Sequence, residues 1–329
     1  MDALSEVLRV VRLSSAIFFN ARFTAPWCFS SPAAADVMQT LHPGAERLVV
    51  FHLLTEGQCH VQIEGSPPQV LNAGDVIIFP HGDAHLMASA LGVAPAGPTD
   101  LQAILKRRPH LLKYGGGGEA TRFVCGYLVC DPRLCRSILN ALPPMLIVSL
   151  RSHGEKDWLE QSIHYAVTEA ASPRPGGEGV LAKLSEVLFV ETLRRHIAQL
   201  PAEQTGWLAG LRDRIVGKSL ALMHERPAEP WTLESLARHA GTSRSVLAER
   251  FSHFVGQAPM TYLTHWRMAL AANLLRHSAM GMHQIAAEVG YSADTAFSRA
   301  FRREFGVPPA SWRRQQSGPS ALPASPAPH

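Results

Sequence analysis

Several absences narrow the chain before any motif is read. There are five cysteines in 329 residues, and an odd count in a long chain argues against a disulfide framework and for reduced thiols or metal ligands. No uncharged apolar run reaches the ~18 residues of a membrane span. The opening Met1-Asp2-Ala3-Leu4-Ser5-Glu6 carries acids and no basic segment ahead of an apolar core, so no secretory leader is expected and a cytoplasmic location is. Aromatic residues are 7% and charged residues 18% against 46% hydrophobic, which is too apolar for a disordered chain and too mixed for a collagen or a coiled coil. From Gln315 to His329 there is no Asp, Glu, Lys or Arg, and this tail is expected to be disordered.

What is present is uneven. Between Gly206 and Arg314 there are 14 Lys and Arg against 8 Asp and Glu, which leaves 17 of the 31 bases and 19 of the 27 acids for the rest. The last third therefore carries the positive excess and invites an anionic partner, nucleic acid first. Length alone predicts two or three domains at ~100–200 residues each.

Residues 1–150 read as β-rich. Leu48–Leu54, His60–Glu64 and Asp75–Pro80 are short apolar or alternating runs punctuated by Gly57, Gly65 and Gly74, and a further strand is expected over Thr121–Val129. Residues 88–118, with Lys106-Arg107-Arg108 and Gly115 to Gly118, lose periodicity and read as a long flexible excursion. Residues 155–200 switch to helical period and predict two helices for packing on the β domain or for dimerisation.

The strongest signal is an internal repeat. Leu236-Ala237-Arg238-His239-Ala240-Gly241-Thr242-Ser243 aligns with Ile285-Ala286-Ala287-Glu288-Val289-Gly290-Tyr291-Ser292, an offset of 49 that also pairs Arg250 with Arg299. One residue then slips, and Phe251, Gly256 and Pro259 match Phe301, Gly306 and Pro309. Each copy reads as helix, Gly-containing turn, Ser N-cap and second helix, the pattern of a helix-turn-helix. Val246, Leu247, Phe251 and Phe254, and likewise Ala296, Phe297, Phe301 and Phe305, are expected to hold each second helix to its partner. A long apolar helix, Met260 to Leu275 with Trp266 central, joins the copies. Such a pair suits successive major-groove segments about one turn apart.

Residues 207–314 resemble the DNA-binding domain of AraC/XylS-type bacterial transcriptional regulators. The closing stretch carries the resemblance: Ile285-Ala286, Val289-Gly290-Tyr291, Phe297-Ser298-Arg299-Ala300-Phe301-Arg302-Arg303, Phe305-Gly306, Pro308-Pro309 and Trp312-Arg313. It implies seven helices around two helix-turn-helix units. The family's base- and phosphate-facing positions fall on Ser243, Arg244, Ser245, Ala248 and Glu249 in the first recognition helix, and on Ser292, Asp294, Thr295, Ala296 and Arg299 in the second. Arg244 and Arg250 are candidates for the DNA backbone, and Arg299 for a bidentate guanine contact.

Gly74 to His85 fits the second cupin motif, G-x5-P-x-G-x2-H, and His52 to Gly57 resembles the first, with Leu54 where metal-binding cupins carry a second His. The β region thus resembles the cupin-type sensor half of such regulators, with the usual metal site incomplete. His81 and His85 at H-x3-H spacing, with Cys125 and Cys130 at C-x4-C spacing, suit a closed tetrahedral zinc site. Cysteines five apart on a regular strand face opposite ways, so the site requires a turn between them, and four unconnected polar residues remain the other reading. His52 and His60 read as cupin core or pocket residues, and Cys28 and Cys135 as buried thiols.

The expected architecture is two-domain: an N-terminal all-β cupin barrel with a helical extension and a C-terminal all-α double helix-turn-helix domain. Its expected segments are a sensor at 1–150, a linker or dimerisation segment at 151–206, the DNA-binding domain at 207–314 and a tail at 315–329. The expected function is sequence-specific, non-enzymatic regulation of transcription by a homodimer on double-stranded DNA, without a membrane. A small effector or metal is sensed, and RNA polymerase is a partner if the protein activates. The alternative is a cupin metalloenzyme with an appended helical domain.

Overall fold

The computed structural model describes residues 2–11, 14–95, 111–150, 161, 162, 165, 168, 169 and 175–316. The chain divides into two compact units, Val11–Gln204 and a second made of Met1–Val10 with Thr205–His329. Residues from Val11 to Gln204 thus group with the β unit, and the first ten residues of the chain group with the helical one.

In the β unit, β1 (Ser14–Thr24), β3 (Leu48–Glu56), β6 (Asp75–Phe79), β8 (Leu111–Gly115), β9 (Ala120–Val129) and β10 (Leu146–Ser149) form a six-stranded sheet ordered β10-β6-β3-β9-β1-β8. A four-stranded sheet, β2-β7-β4-β5, is built from β2 (Cys28–Ser31), β4 (Gln58–Ile63), β5 (Gln69–Asn72) and β7 (His85–Ala88). β1 and β8 run parallel, and the other pairs are antiparallel.

Strand β3 explains its own unbroken apolar run. Leu48, Val50 and Leu54 enter the core shared with Val61, Ile63, Leu71 and Met87 of the smaller sheet. Val49, Phe51 and Leu53 point the other way and are buried too. A strand covered on both faces needs no polar alternation. Helix α2 (Ala34–Leu41) packs on β3, and α3 (Arg136–Asn140) follows β9. Helix α4 (Gly177–Gln199) packs on β1, β9 and β10 of the larger sheet. It is the second of the two helices expected over 155–200, and the first lies mostly outside the described residues.

The excursion expected over 88–118 is shorter. Leu111–Gly115 is the edge strand β8, paired with Asn20–Thr24 of β1. Residues 96–110, with the basic triplet, lie outside the described residues.

The helical unit contains α5 (Trp207–Arg212), α6 (Arg214–Glu225), α7 (Leu233–Ala240), α8 (Arg244–Val255), α9 (Pro259–His277), α10 (Met282–Glu288), α11 (Asp294–Phe305) and α12 (Pro309–Gln316). From Arg214 onward these are seven, as the resemblance implies, with α5 ahead of them. Helix α12 takes in Gln315 and Gln316 of the expected tail, and residues 317–329 lie outside the described ones.

Helix α1 (Ala3–Val11) joins this unit, with Ala3, Leu4, Glu6 and Val7 all buried. The Ala3 carbonyl lies 3.3 Å from His224 Nδ1, and His224 Nε2 lies 2.8 Å from the Tyr262 hydroxyl. A carbonyl only accepts, so Nδ1 carries the proton and Nε2 accepts from Tyr262. The Trp207 indole N–H in turn donates to the Tyr262 oxygen at 2.9 Å. Burial pulls the His224 pKa down to about 4 against the small upward effect of the Ala3 carbonyl, so the ring is neutral. Among the described residues no helix is long and apolar enough to cross a membrane.

Candidate nucleic-acid interface

Both helix-turn-helix copies are built from local backbone chemistry. Helix α7 opens on a capping box, in which Thr232 Oγ1 accepts from the Ser235 N–H and Ser235 Oγ accepts from the Thr232 N–H. It stops at Gly241, whose N–H bonds the Arg238 carbonyl while the Thr242 N–H reaches back to Ala237. Ser243 then caps α8 by accepting from the Val246 N–H at 3.3 Å. Helix α10 ends with the same pair of bonds, Gly290 to Ala287 and Tyr291 to Ala286.

The second turn is one residue longer. Helix α11 follows Ala293, which offers no side-chain cap, so Ser292 is not the N-cap that the repeat predicts. The recognition helices, Arg244–Val255 and Asp294–Phe305, are twelve residues each and correspond at an offset of 50 from their first residue. Leu247 and Phe251 are the counterparts of Phe297 and Phe301, and all four are 0% exposed. The slip therefore lies in the turn. Arg250 corresponds to the buried Ala300, not to Arg299, and Arg299 corresponds to Glu249.

That register explains what the two arginines do. Arg250 forms an ion pair with Asp213, a nearly buried carboxylate that caps α6 by accepting from the Ile215 and Val216 N–H groups. Burial pushes Asp213 up, yet the Arg250 bond and the two amides hold it below the usual carboxylate range. Arg250 thus ties α8 to α6. Arg299 is exposed, with Nε bonded to the Thr295 carbonyl of its own helix at 3.2 Å.

The other candidates share the outer faces. Ser243, Arg244, Ser245 and Glu249 are exposed on the first copy and Ala248 is half-buried. Ser292, Asp294, Thr295 and Ala296 are exposed on the second, where Asp294 Oδ1 lies 3.0 Å from His283 Nδ1. A groove of ≈ 1010 Å³ runs between α7 and α8, lined by Arg238, Thr242, Ser243, Arg244, Ser245 and Ala248 among others. Two residues of this surface are absent from the expected set. Arg238 is exposed at the groove, and Val246, expected in the core, is 39% exposed. The signal was present: Leu247 and Phe251, four apart, define the buried stripe and turn Val246 outward. Ala296 is likewise exposed rather than packed against the partner helix.

The interior of the β unit holds a buried polar chain. His52 on β3 faces Cys125 on β9 in register, with Nδ1 2.8 Å from the thiol sulfur. His52 Nε2 lies 2.8 Å from His85 Nε2 on the opposite sheet, and His85 Nδ1 lies 2.9 Å from the Asp83 carbonyl. Starting from that carbonyl, the direction is forced: His85 Nδ1–H donates to Asp83, His52 Nε2–H donates to His85, and the Cys125 S–H donates to His52. Burial lowers the pKa of His85 to about 4 and that of His52 well below its ordinary value, with His85 adding to the latter, and burial raises the Cys125 thiol. The His85 ring also stacks on Phe79 at 3.7 Å.

The four residues expected to close around zinc are not brought to one point. His85 and Cys125 point inward, each bonded to His52. His81 is exposed at the surface and its Nδ1 accepts from Arg47 at 2.7 Å. Strand β9 stays regular to Val129, so Cys130 falls on the opposite face from Cys125 and bonds Cys135, whose pKa is raised by that bond and by burial. Among the described residues no three His, Cys, Asp or Glu side chains are grouped to hold a metal ion.

Comparison with known proteins bears on both units. The family described as Cupin matches residues 2–198, and a helix-turn-helix domain family matches residues 236–315. The chain is 31% identical to a putative AraC-like transcription regulator of Streptomyces lividans, over 97% of this chain and 100% of that one. It is 29% identical to the HTH-type transcriptional regulator AlkR of Acinetobacter baylyi, over 96% and 100%. It is 28% identical to the RCS-specific HTH-type transcriptional activator RclR of Escherichia coli, over 96% and 98%.

Proposed function

The chain belongs to the AraC-like transcription regulators, with an N-terminal cupin domain and a C-terminal helix-turn-helix domain that binds DNA, and from that premise we infer how its two halves work. It regulates transcription rather than carrying the appended helices on a metalloenzyme. One observation carries the reading of DNA: two equivalent twelve-residue helices, each presenting a polar outer face, flank a single helix of 19 residues. At ~1.5 Å per residue that helix sets the units apart by a distance suited to adjacent major-groove segments.

In this reading, Arg299 forks onto a guanine edge, while Arg244 and Arg238 meet phosphates. Ser243, Ser245, Ser292 and Thr295 position the backbone, and the small Ala248 and Ala296 admit close approach. Val246 and Ala296 offer methyl groups to thymine. Glu249 and Asp294 disfavour phosphate nearby and accept from cytosine instead. Arg250, held by Asp213, acts on packing more than on DNA.

The cupin unit takes a small effector, and its interior chain of His52, His85 and Cys125 supplies polar groups in an otherwise apolar core. The protein works in the cytoplasm as a homodimer without enzymatic turnover, and an activating complex also meets RNA polymerase. Selection of duplexes from a randomised pool by the full chain tests the reading. A recovered two-part consensus, with affinity falling linearly in log–log against salt, supports it. Salt-sensitive binding without any consensus would refute sequence-specific regulation.

A further inference from the structure

Arg267 lies near the middle of α9, the helix that joins the two copies. Its guanidinium reaches the first copy, where Nε donates to the Pro227 carbonyl and Nη2 to the Glu229 carbonyl, both at 2.7 Å. These carbonyls belong to the loop that leads into α7. The loop is stiffened by Trp231, whose indole N–H bonds the Arg226 carbonyl at 2.9 Å and whose backbone N–H bonds Glu229 at 2.7 Å.

The same guanidinium lies over the ring of Tyr291 in the turn of the second copy, 5.9 Å from its centroid. Tyr291 packs on Phe297, a fully buried residue of that copy's core. The backbones also meet here. Gly290 has φ +81°, and a Cβ on it would lie 2.8 Å from both the Ala228 carbonyl oxygen and Arg267 Nη2. One cation thus touches both reading units, at a point where a glycine lets the loop of one approach the turn of the other.

We propose that Arg267 is a positioning residue that locks the two helix-turn-helix units at one separation, and so sets the spacing between DNA half-elements that the protein accepts. The inference rests on the DNA-binding reading above. The connecting helix alone fixes an approximate distance, and the clamp removes the freedom at its junctions with the two units. A locked pair is sensitive to spacing, because one base pair shifts a half-element by about 3.4 Å and turns it by about 35°. Lysine is no substitute, since a single ammonium lacks the planar fork that bonds two carbonyls and stacks on a ring. Arg313 provides a contrast within the second copy. Its Nε and Nη2 donate to the Leu275 and Met280 carbonyls at 3.2 and 2.7 Å, tying α12 to the C-terminal end of α9 and to the loop that enters α10 without reaching the first copy.

The test uses the full chain and duplexes selected by it from a randomised pool, rebuilt with one base pair added or removed between the half-elements. Fluorescence anisotropy then gives the affinity ratio between original and altered spacing for the parent, Arg267→Ala, Arg267→Lys and Arg313→Ala. The parent should favour its own spacing by about ten-fold or more. Both Arg267 variants should shrink that ratio by at least about three-fold. Arg313→Ala should lower the melting temperature yet keep the ratio. If Arg267→Ala does not fold, Arg267→Lys and Tyr291→Leu carry the test in the same direction. Variants that weaken binding equally at every spacing, or a parent without spacing preference, overturn the proposal. A parent that binds no duplex at all fails the DNA-binding reading instead.

Discussion

Two arginines that the repeat pairs in sequence do different work in the structure. Arg299 stands exposed on α11, and Arg250 is held by Asp213. Arg299→Ala should therefore cost roughly 1–3 kcal/mol of binding and relax preference at one base pair. Uniform weakening on all sequences would mark Arg299 as a phosphate contact. Arg250→Ala should instead lower thermal stability, because it leaves the Asp213 carboxylate without its cation, and should change sequence preference little. The buried histidines give a pH signature. His85 and His224 titrate at about 4 in the folded chain against about 6.5 when unfolded. The unfolded chain thus binds more protons between those values, so stability is intact above about pH 6.5 and is lost as pH falls toward 4, by about 1.4 kcal/mol per unit for each ring. Melting temperatures at constant ionic strength between pH 7.5 and 5 check this, and a flat profile contradicts it. At His52, Cys125→Ser keeps a donor for Nδ1, whereas Cys125→Ala orphans it at a cost of about 1–3 kcal/mol. A Ser variant no more stable than Ala would contradict the direction assigned to that chain of bonds.

At the scale of elements, the periodic signals held where local chemistry dictates structure. Gly241 and Gly290 stop their helices with the same bonds, and the buried stripe of Leu247 and Phe251 recurs as Phe297 and Phe301. The position of the one-residue slip was not legible, because Arg250 and Arg299 match in letter and only the start of α11 shows that they differ in place. The zinc reading failed to assemble for a similar reason: His81 and His85 share a spacing, but the turn between them sends one to Arg47 and the other to His52. Nor does the sequence say where α1 docks, since a short amphipathic helix reads alike whichever surface covers it. The first ten residues nonetheless group with the helical unit. Deleting residues 1–11 should expose the faces that cover Leu4 and Val7 and remove the Ala3 carbonyl from His224, a loss of several kcal/mol from that unit. Val7→Asp should act the same way by burying an unpaired charge. Unchanged melting of the helical unit in both variants would show that α1 contributes nothing to it.

For the whole molecule, the two-part organisation follows from composition: apolar runs with glycine turns build the sheets, and a basic repeat builds the helical unit. The double burial of β3 and the pairing of edge strand β8 with β1 depend on partners distant in the chain, which no local pattern records. The central claim concerns the two recognition helices as one device. Hydroxyl-radical footprinting of the full chain on a selected duplex tests it most directly. Two protected patches on one face of the DNA, centred about ten base pairs apart, are the predicted result. A single protected stretch, or protection that ignores sequence, would contradict it.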